Sequence, residues 1–375
     1  MKKNLKICHL TSVHPRYDVR IFLKECVSLA KHDFDVTLIV ADGMDDEINN
    51  NVRILGIKKP KSRLDRFINT SKHLYKKAIE LDADIYHFHD PELMFIGKKL
   101  LKANKKVVYD VHEDLPRQVL TKPYLLKSIR KVLSFFIERV ENHISKKFNY
   151  ILTSTSHIKE RFLEINKNSE VVYNYPFVEE FVDAMESSWE EKTDDVCYIG
   201  GISKVRGVYE CIEALKYAKC NMILAGVFQP ENYKNQLINS EGWKNVEYVG
   251  YVDRKRIVSI LSKSKVGLVT LHPTLNYIDS LPVKMFEYMA AGIPVIASNF
   301  KMWEQIISTE NCGFCVDPLN IFEIAEAIKR VLKNDAESMK MGERGKKAIL
   351  EKYNWGIEEN KLIKIYQEFE SQIVK

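Results

Sequence analysis

Short apolar or β-branched runs alternate along this chain with longer segments whose apolar residues recur at helical spacing. The first series is Leu5–Leu10, Asp35–Val40, Val52–Leu55, Ile85–His89, Lys106–Asp110, Tyr150–Thr153 and Val171–Tyr173. A second restarts at Val196–Ile199 and continues through Met222–Ala225, Val246–Val249, Val266–Thr270, Pro294–Ala297 and Gly313–Val316. Strand-length runs separated by helix-length segments predict parallel sheets, because parallel neighbours need a crossover and not a tight turn. Two such series predict two similar α/β domains. Asn174-Tyr175-Pro176 and the acidic, strand-poor stretch Glu179–Asp195 lie between them, so the expected division is 1–178, 179–355 and a terminal helix 356–375. That last segment carries Leu362, Ile363, Ile365, Tyr366 and Phe369, a face that fits packing on either domain.

Composition supports folded domains: 375 residues are 45% apolar and 29% charged, with only 15 glycines and 11 prolines. The N-terminus enters a strand directly, with no run long enough for a signal peptide or membrane span, so a cytoplasmic location is expected. Seven scattered cysteines are expected as free thiols. Cys312-Gly313-Phe314-Cys315 has metal or redox spacing but no second pair, and reads as part of an apolar strand. The net charge of +6 is uneven, since residues 1–150 hold 29 Lys and Arg against 19 Asp and Glu. The first half is therefore the one expected to meet an anionic surface or substrate, unless its lysines only solvate helix faces.

In a doubly wound sheet ligands sit beyond the carboxyl ends of the strands. Four polar loops fall there: His14–Arg20, His87–Glu92, Asp110–Asp114 and Gly200–Gly207. Asp18 is placed to cap the following helix and Arg20 to offer a guanidinium to a phosphate, the alternative being an Asp18–Arg20 pair that only holds the loop. No Gly-x-Gly-x-x-Gly occurs there, which argues against a dinucleotide-binding dehydrogenase. His87 and His89 share a strand face near Asp90 and Glu92, but a further metal ligand at fixed spacing is missing; sugar hydroxyls are the other candidates for them. His112, at a central strand end, is the better functional histidine. Gly200-Gly201-Ile202-Ser203-Lys204-Val205-Arg206-Gly207 is a glycine turn with two basic residues before a helix, suited to a diphosphate. Downstream, Asp279-Ser280-Leu281-Pro282 leads into a helix presenting Lys284 and Glu287 one turn apart, which Gly292 ends.

The spacing Asp279-x7-Glu287 resembles the acid-x7-Glu hallmark of retaining glycosyltransferase family 4, and His112, the Gly200–Gly207 turn, Gly250-Tyr251-Val252 and the terminal helix follow in family order. The resemblance covers almost the whole chain. It implies a GT-B fold: two Rossmann-like domains with parallel sheets facing across an interdomain cleft, the terminal helix crossing back to the N-terminal, acceptor-binding domain. By the same resemblance Glu287 would hold the nucleotide ribose, Asp279 the donor sugar, and amides around Ser280 and Leu281 the diphosphate. Arg206 would stand for the phosphate-binding Lys, His112 would contact the transferred sugar, and Tyr251 and Val252 would read the base; Gly201, Lys204 and Lys284 complete the expected donor site. Three departures stand out. His14–Arg20 replaces the glycine-rich loop after the first strand, Gly201 stands where an Arg usually does, and the first acid is Asp rather than Glu.

The implied reaction is retaining transfer of a hexose or N-acetylhexosamine from a nucleotide-diphosphate sugar, UDP favoured, to a glycan or lipid-linked glycan in surface polysaccharide synthesis. No protein nucleophile and no metal or other cofactor are expected, Arg206 and helix amides stabilising the leaving diphosphate. A nucleotide-sugar epimerase of this architecture and a catalytically silent nucleotide-sugar-binding partner are the alternatives. Nucleic acid is not an expected partner, since the basic residues show no aromatic interleaving. The stretch Tyr124–Lys147 places Leu125, Leu126, Ile129, Val132, Leu133, Phe136, Ile137 and Val140 on or near one helix face. It predicts either peripheral docking on the inner face of an anionic membrane or packing on its own sheet.

Overall fold

In the computed structural model, which describes residues 4–122 and 125–373, the chain forms two compact units. The first comprises Met1–Asn174 and Gly356–Lys375, the second Tyr175–Trp355.

The first unit is built on eight strands: β1 Lys6–Thr11, β2 Asp35–Val40, β3 Glu47–Asn49, β4 Val52–Gly56, β5 Ile85–Phe88, β6 Lys106–Val111, β7 Tyr150–Thr153 and β8 Ser169–Val171. Their order across the sheet is β3-β4-β2-β1-β5-β6-β7-β8, parallel throughout except for the β3–β4 pair. That hairpin turns on Asn50 and Asn51, both at positive φ (49° and 62°), a conformation asparagine tolerates and two-residue hairpins need. The strand period of two splits the sheet's side chains between its faces. One face holds Cys8, Leu10, Tyr86, Phe88, Val107 and Tyr109, which pack with Leu74, Met94, Ile96, Leu100 and Phe148. The alternate positions His9, His87, His89 and Asp110 are also fully or almost fully buried, His9 lying in register with His87.

Two helical segments cover this polar layer. The Val19–Cys26 segment is π-helical, its Leu23 amide reaching back to the Asp18 carbonyl, and it brings in buried Arg20 and Glu25. The Trp355–Ile373 helix buries Leu362, Ile363, Ile365, Tyr366 and Phe369, and the Tyr366 hydroxyl lies 2.7 Å from His87 Nδ1. Val374 and Lys375 of the expected terminal helix lie outside the described residues.

The Lys127–Ser145 helix differs from ordinary helix packing. Its inward side holds Ser134, which donates to the Pro116 carbonyl, Glu141, Ile144 and Ser145. The predicted apolar stripe does not pack on the sheet: Leu126, Ile129, Val132, Leu133, Phe136 and Val140 are exposed, and Leu125 and Ile137 half-buried. Tyr124, at the start of the predicted stretch, lies outside the described residues.

The second unit holds a six-stranded, all-parallel sheet of β9 Thr193–Ile199, β10 Met222–Ala225, β11 Val246–Gly250, β12 Ser264–Val269, β13 Val295–Ser298 and β14 Gly313–Val316. Its order is β11-β10-β9-β12-β13-β14. Val196, Tyr198, Met222, Leu224, Val266, Leu268 and Ile296 form the core with the Val208–Ala218 and Ile321–Lys333 helices. Cys312, just before β14, and Cys315, within it, are unpaired thiols, Cys312 buried and Cys315 half-buried.

Candidate functional site

The strand order of each sheet reverses at one place, between β1 and β5 in the first unit and between β9 and β12 in the second. Loops leaving neighbouring strands there diverge to opposite faces and leave a crevice at the carboxyl ends. Of the sequence-predicted residues, Arg206 and Lys284 converge on the turn after β9, and Arg20, Asp110 and His112 meet in the first unit.

In the second unit β9 runs into Gly200 (φ +127°) and Gly201, then the single turn Lys204–Arg206, then Gly207 (φ +68°) at the start of the Val208–Ala218 helix. Gly207 is required twice over, because a Cβ there would stand 1.8 Å from the Thr270 carbonyl oxygen and the backbone is left-handed. A Cβ on Gly200 would lie 3.4 Å from Lys284 Nζ and 4.0 Å from an Arg206 terminal nitrogen, so both cations converge on this turn. Lys284 is buried at the first turn of the Val283–Ala290 helix, its Nζ 3.6 Å above the Tyr198 ring centroid and without a hydrogen-bond partner. Burial, and then the nearby Arg206 charge, brings its ammonium down to about 7. Two cations converging on one glycine turn, one of them lacking any acceptor, give the turn the charge and the hydrogen-bonding capacity to hold an anion.

Glu287, one turn beyond Lys284, accepts from Arg254 at 2.7 Å, and Arg254 also donates to Glu180. Arg254 and Glu180 were not singled out from the sequence; the only local signal was Asp253, which caps the Arg254–Lys263 helix. Asp279, Ser280 and Leu281 are half-buried in the loop before the Val283–Ala290 helix. The Ser280 amide is already committed to the Tyr277 carbonyl at 3.1 Å, so this amide, expected to meet a diphosphate, is used within its own turn. Lys204 is exposed, as is Tyr251, while Val252 is half-buried; their turn follows Gly250, whose carbonyl accepts from Gly226 beside Gly200.

In the first unit His112 stands at the end of β6, its Nε2 2.8 Å from Asp110 Oδ2 and 3.3 Å from His89 Nδ1. Asp110 is buried, which alone would raise its carboxyl, but the Arg20 guanidinium and the hydrogen bonds of His112 and His89 hold it well below the usual range. An ionised carboxylate only accepts, so His112 Nε2 and His89 Nδ1 carry protons, and His89 Nε2 accepts from His9 Nδ1 at 3.0 Å. Arg20 corrects an expectation. Its guanidinium is buried, donating twice to Asp110 and once to the Val172 carbonyl, with Glu25 3.1 Å away, so it is not a solvent-facing phosphate ligand. Neither does it pair through its side chain with Asp18, which caps the helix through the Arg20 and Ile21 amides. Burial opposes ionisation of Asp18, yet hydrogen bonds from His14 and the Ile21 amide bring it to about 2.

His9, Glu25, His87 and His89 each offer an atom within 4.8 Å of the others, as do His89, Asp110 and His112. Arg20 lies among them as a fixed cation, and burial favours the neutral form of all three buried histidines and, with the Asp110 charge, of Glu25. Asp90 and Glu92 belong elsewhere: Asp90 accepts from Thr11 and Ser12, and Glu92 from Ser12 and Arg66.

Two doubly wound parallel sheets in one chain, with polar residues gathered at each switch point, are the GT-B architecture. Residues 20–175 match Glycosyltransferase Family 4 and residues 182–348 match Glycosyl transferases group 1. An uncharacterized glycosyltransferase of Methanocaldococcus jannaschii is 23% identical over 97% of this chain and 98% of its own length. Among solved structures, sucrose-phosphate synthase from Thermosynechococcus elongatus superposes with a TM-score of 0.79 at 18% identity, over 98% of this chain and all of that one. An Anabaena protein solved in complex with UDP-glucose superposes at 0.72 with 14% identity, over 97% of this chain and all of that one. The chain belongs to the GT-B glycosyltransferases of the family 4 type and is a transferase enzyme.

Proposed function

We propose that this enzyme transfers a hexose or N-acetylhexosamine from UDP to a glycan or lipid-linked glycan acceptor in surface polysaccharide synthesis, with retention of configuration. The observation that carries the donor reading is Lys284: a buried ammonium with no acceptor, beside Arg206, over a turn whose glycines admit a ligand close to the backbone. A diphosphate supplies the missing acceptors. UDP is preferred on the analogy of the Anabaena structure.

In the proposed reaction the bond between the anomeric carbon and the diphosphate oxygen breaks while the acceptor oxygen bonds to the same face, its proton passing to the leaving phosphate. Arg206 and Lys284 stabilise the charge that grows on that phosphate, so the step needs no divalent cation. Glu287 takes the ribose hydroxyls in competition with Arg254. Asp279 takes hydroxyls of the transferred sugar, and His112 is a separate candidate for a sugar hydroxyl.

The test is release of nucleoside diphosphate from UDP-, GDP-, ADP- and TDP-sugars in EDTA, with lipid-linked and soluble glycosides as acceptors and anomeric configuration read by NMR. The proposal expects release from the UDP series and an axial product bond from an axial donor. No release from any series, or an inverted product, would overturn it.

A further inference from the structure

The Lys127–Ser145 helix is amphipathic with its apolar side turned to solvent. Ile129, Val132, Leu133, Phe135, Phe136 and Val140 are exposed, Phe136 by 60%, and Leu126 before the helix by 71%. Spacing by four, three and four puts Ile129, Leu133, Phe136 and Val140 in one stripe, while Ser134, Glu141 and Ser145 face the protein. A stripe of this kind on a monomer marks an interaction surface, not a core.

The charges around it choose the occupant. Exposed charged side chains from 125 to 147 are Lys127, Lys131, Arg139, Lys146 and Lys147, all basic. The two acids in this stretch are spent inward: Glu138 pairs with Arg117, and Glu141 is buried against Arg161 and Tyr109. A second copy docked about a two-fold axis would bring this basic rim against itself. An anionic lipid surface complements both the apolar stripe and the cations.

We infer that the Lys127–Ser145 helix lies in the plane of an anionic bilayer, inserting the Ile129–Val140 stripe among the acyl chains with its lysines and Arg139 at the headgroups. Among the described residues no helix is long and apolar enough to cross a membrane, so this contact is peripheral. It stands apart from the donor-site reading and places the enzyme where a lipid-linked acceptor is presented.

The test is co-sedimentation of the full chain with vesicles of phosphatidylcholine alone and of phosphatidylcholine mixed with phosphatidylglycerol, for the wild type, Val132→Ser with Phe136→Ser, and Lys131→Glu with Arg139→Glu. These positions are exposed, and an unchanged Tm verifies folding. The wild type is expected to bind the mixed vesicles, to bind phosphatidylcholine at least ~10-fold more weakly, and to be released by salt; each variant is expected to lose about 10-fold or more. Equal sedimentation with both lipids, no sedimentation, or variants that bind like wild type would overturn the inference. So would a dimer in sedimentation velocity that Val132→Ser with Phe136→Ser dissolves without vesicle binding in the parent. UDP affinity, measured on the same samples, reports separately on the donor site.

Discussion

Lys284 concentrates the electrostatics of the proposed donor site in one side chain. Its ammonium titrates near 7 because it is buried beside Arg206, and a bound diphosphate would raise that value by supplying opposite charge. The sign follows from linkage: below about 7 the lysine is charged in both states and adds no pH dependence of its own, while above it binding must take up a proton. Affinity is therefore expected to fall by up to ~10-fold per pH unit above pH 7, with proton uptake at pH 8 seen as a buffer-dependent heat, and both effects should vanish in Lys284→Met. Asp110 is the corresponding residue in the first unit. Its carboxylate balances Arg20 and holds His112, so Asp110→Asn leaves a buried guanidinium without its counterion and is expected to cost about 3–5 kcal/mol in a denaturant titration. Because its carboxyl is held below the ordinary 3.8, the stability that wild type draws from it is complete above that pH and is lost as pH falls through the folded value. Motif spacing drew attention to His112, Arg206, Lys284 and Glu287 but not to Arg254, which Glu287 accepts from. Arg20 read as a phosphate ligand because sequence shows a cation near a helix start, whereas β6 supplies the Asp110 that turns it inward.

At the scale of elements, the glycine turn is the least tolerant of change. Gly207→Ala would drive a methyl group into the Thr270 carbonyl at a left-handed φ, and is expected to lower stability by about 1–3 kcal/mol and to weaken UDP binding, both readable by thermal shift with and without nucleotide. Strands were the legible elements. Of the fourteen among the described residues, twelve lie on the apolar runs and a thirteenth, β8, meets its run only at Val171; β1, β2, β5, β6, β12 and β13, buried on both faces, carry the signature most plainly. The exception, β3, is three residues at the sheet edge with Ile48 exposed, so it offers no apolar run; its only trace was the Asn50-Asn51 turn. Periodicity also marked the Lys127–Ser145 helix as amphipathic, yet could not tell which way the stripe faces. The inward side is satisfied by Ser134 and Glu141 through hydrogen bonds, an arrangement that apolar spacing does not encode.

For the whole molecule, strand order is what turns scattered motifs into sites. The apolar runs implied two parallel sheets but not which strands neighbour one another, and the switch points at β1/β5 and β9/β12 emerge only from that order. They explain why Gly200 and Lys284, far apart in sequence, meet, and why a histidine from β1 bonds one that follows β5. The proposed anion site lies in the second unit, so substitutions in the polar layer of the first are expected to alter turnover or stability and leave UDP affinity within about 3-fold. The central claim is that a donor diphosphate is held by Arg206 and Lys284. The measurement is isothermal titration of UDP into wild type, Arg206→Ala and Lys284→Met at pH 7 in EDTA, with Tm checked for each. The account predicts metal-independent binding by wild type and a Kd at least ~10-fold higher in each variant, the loss expected of a charge-assisted hydrogen bond. Wild-type affinity retained by folded Lys284→Met and Arg206→Ala would contradict it.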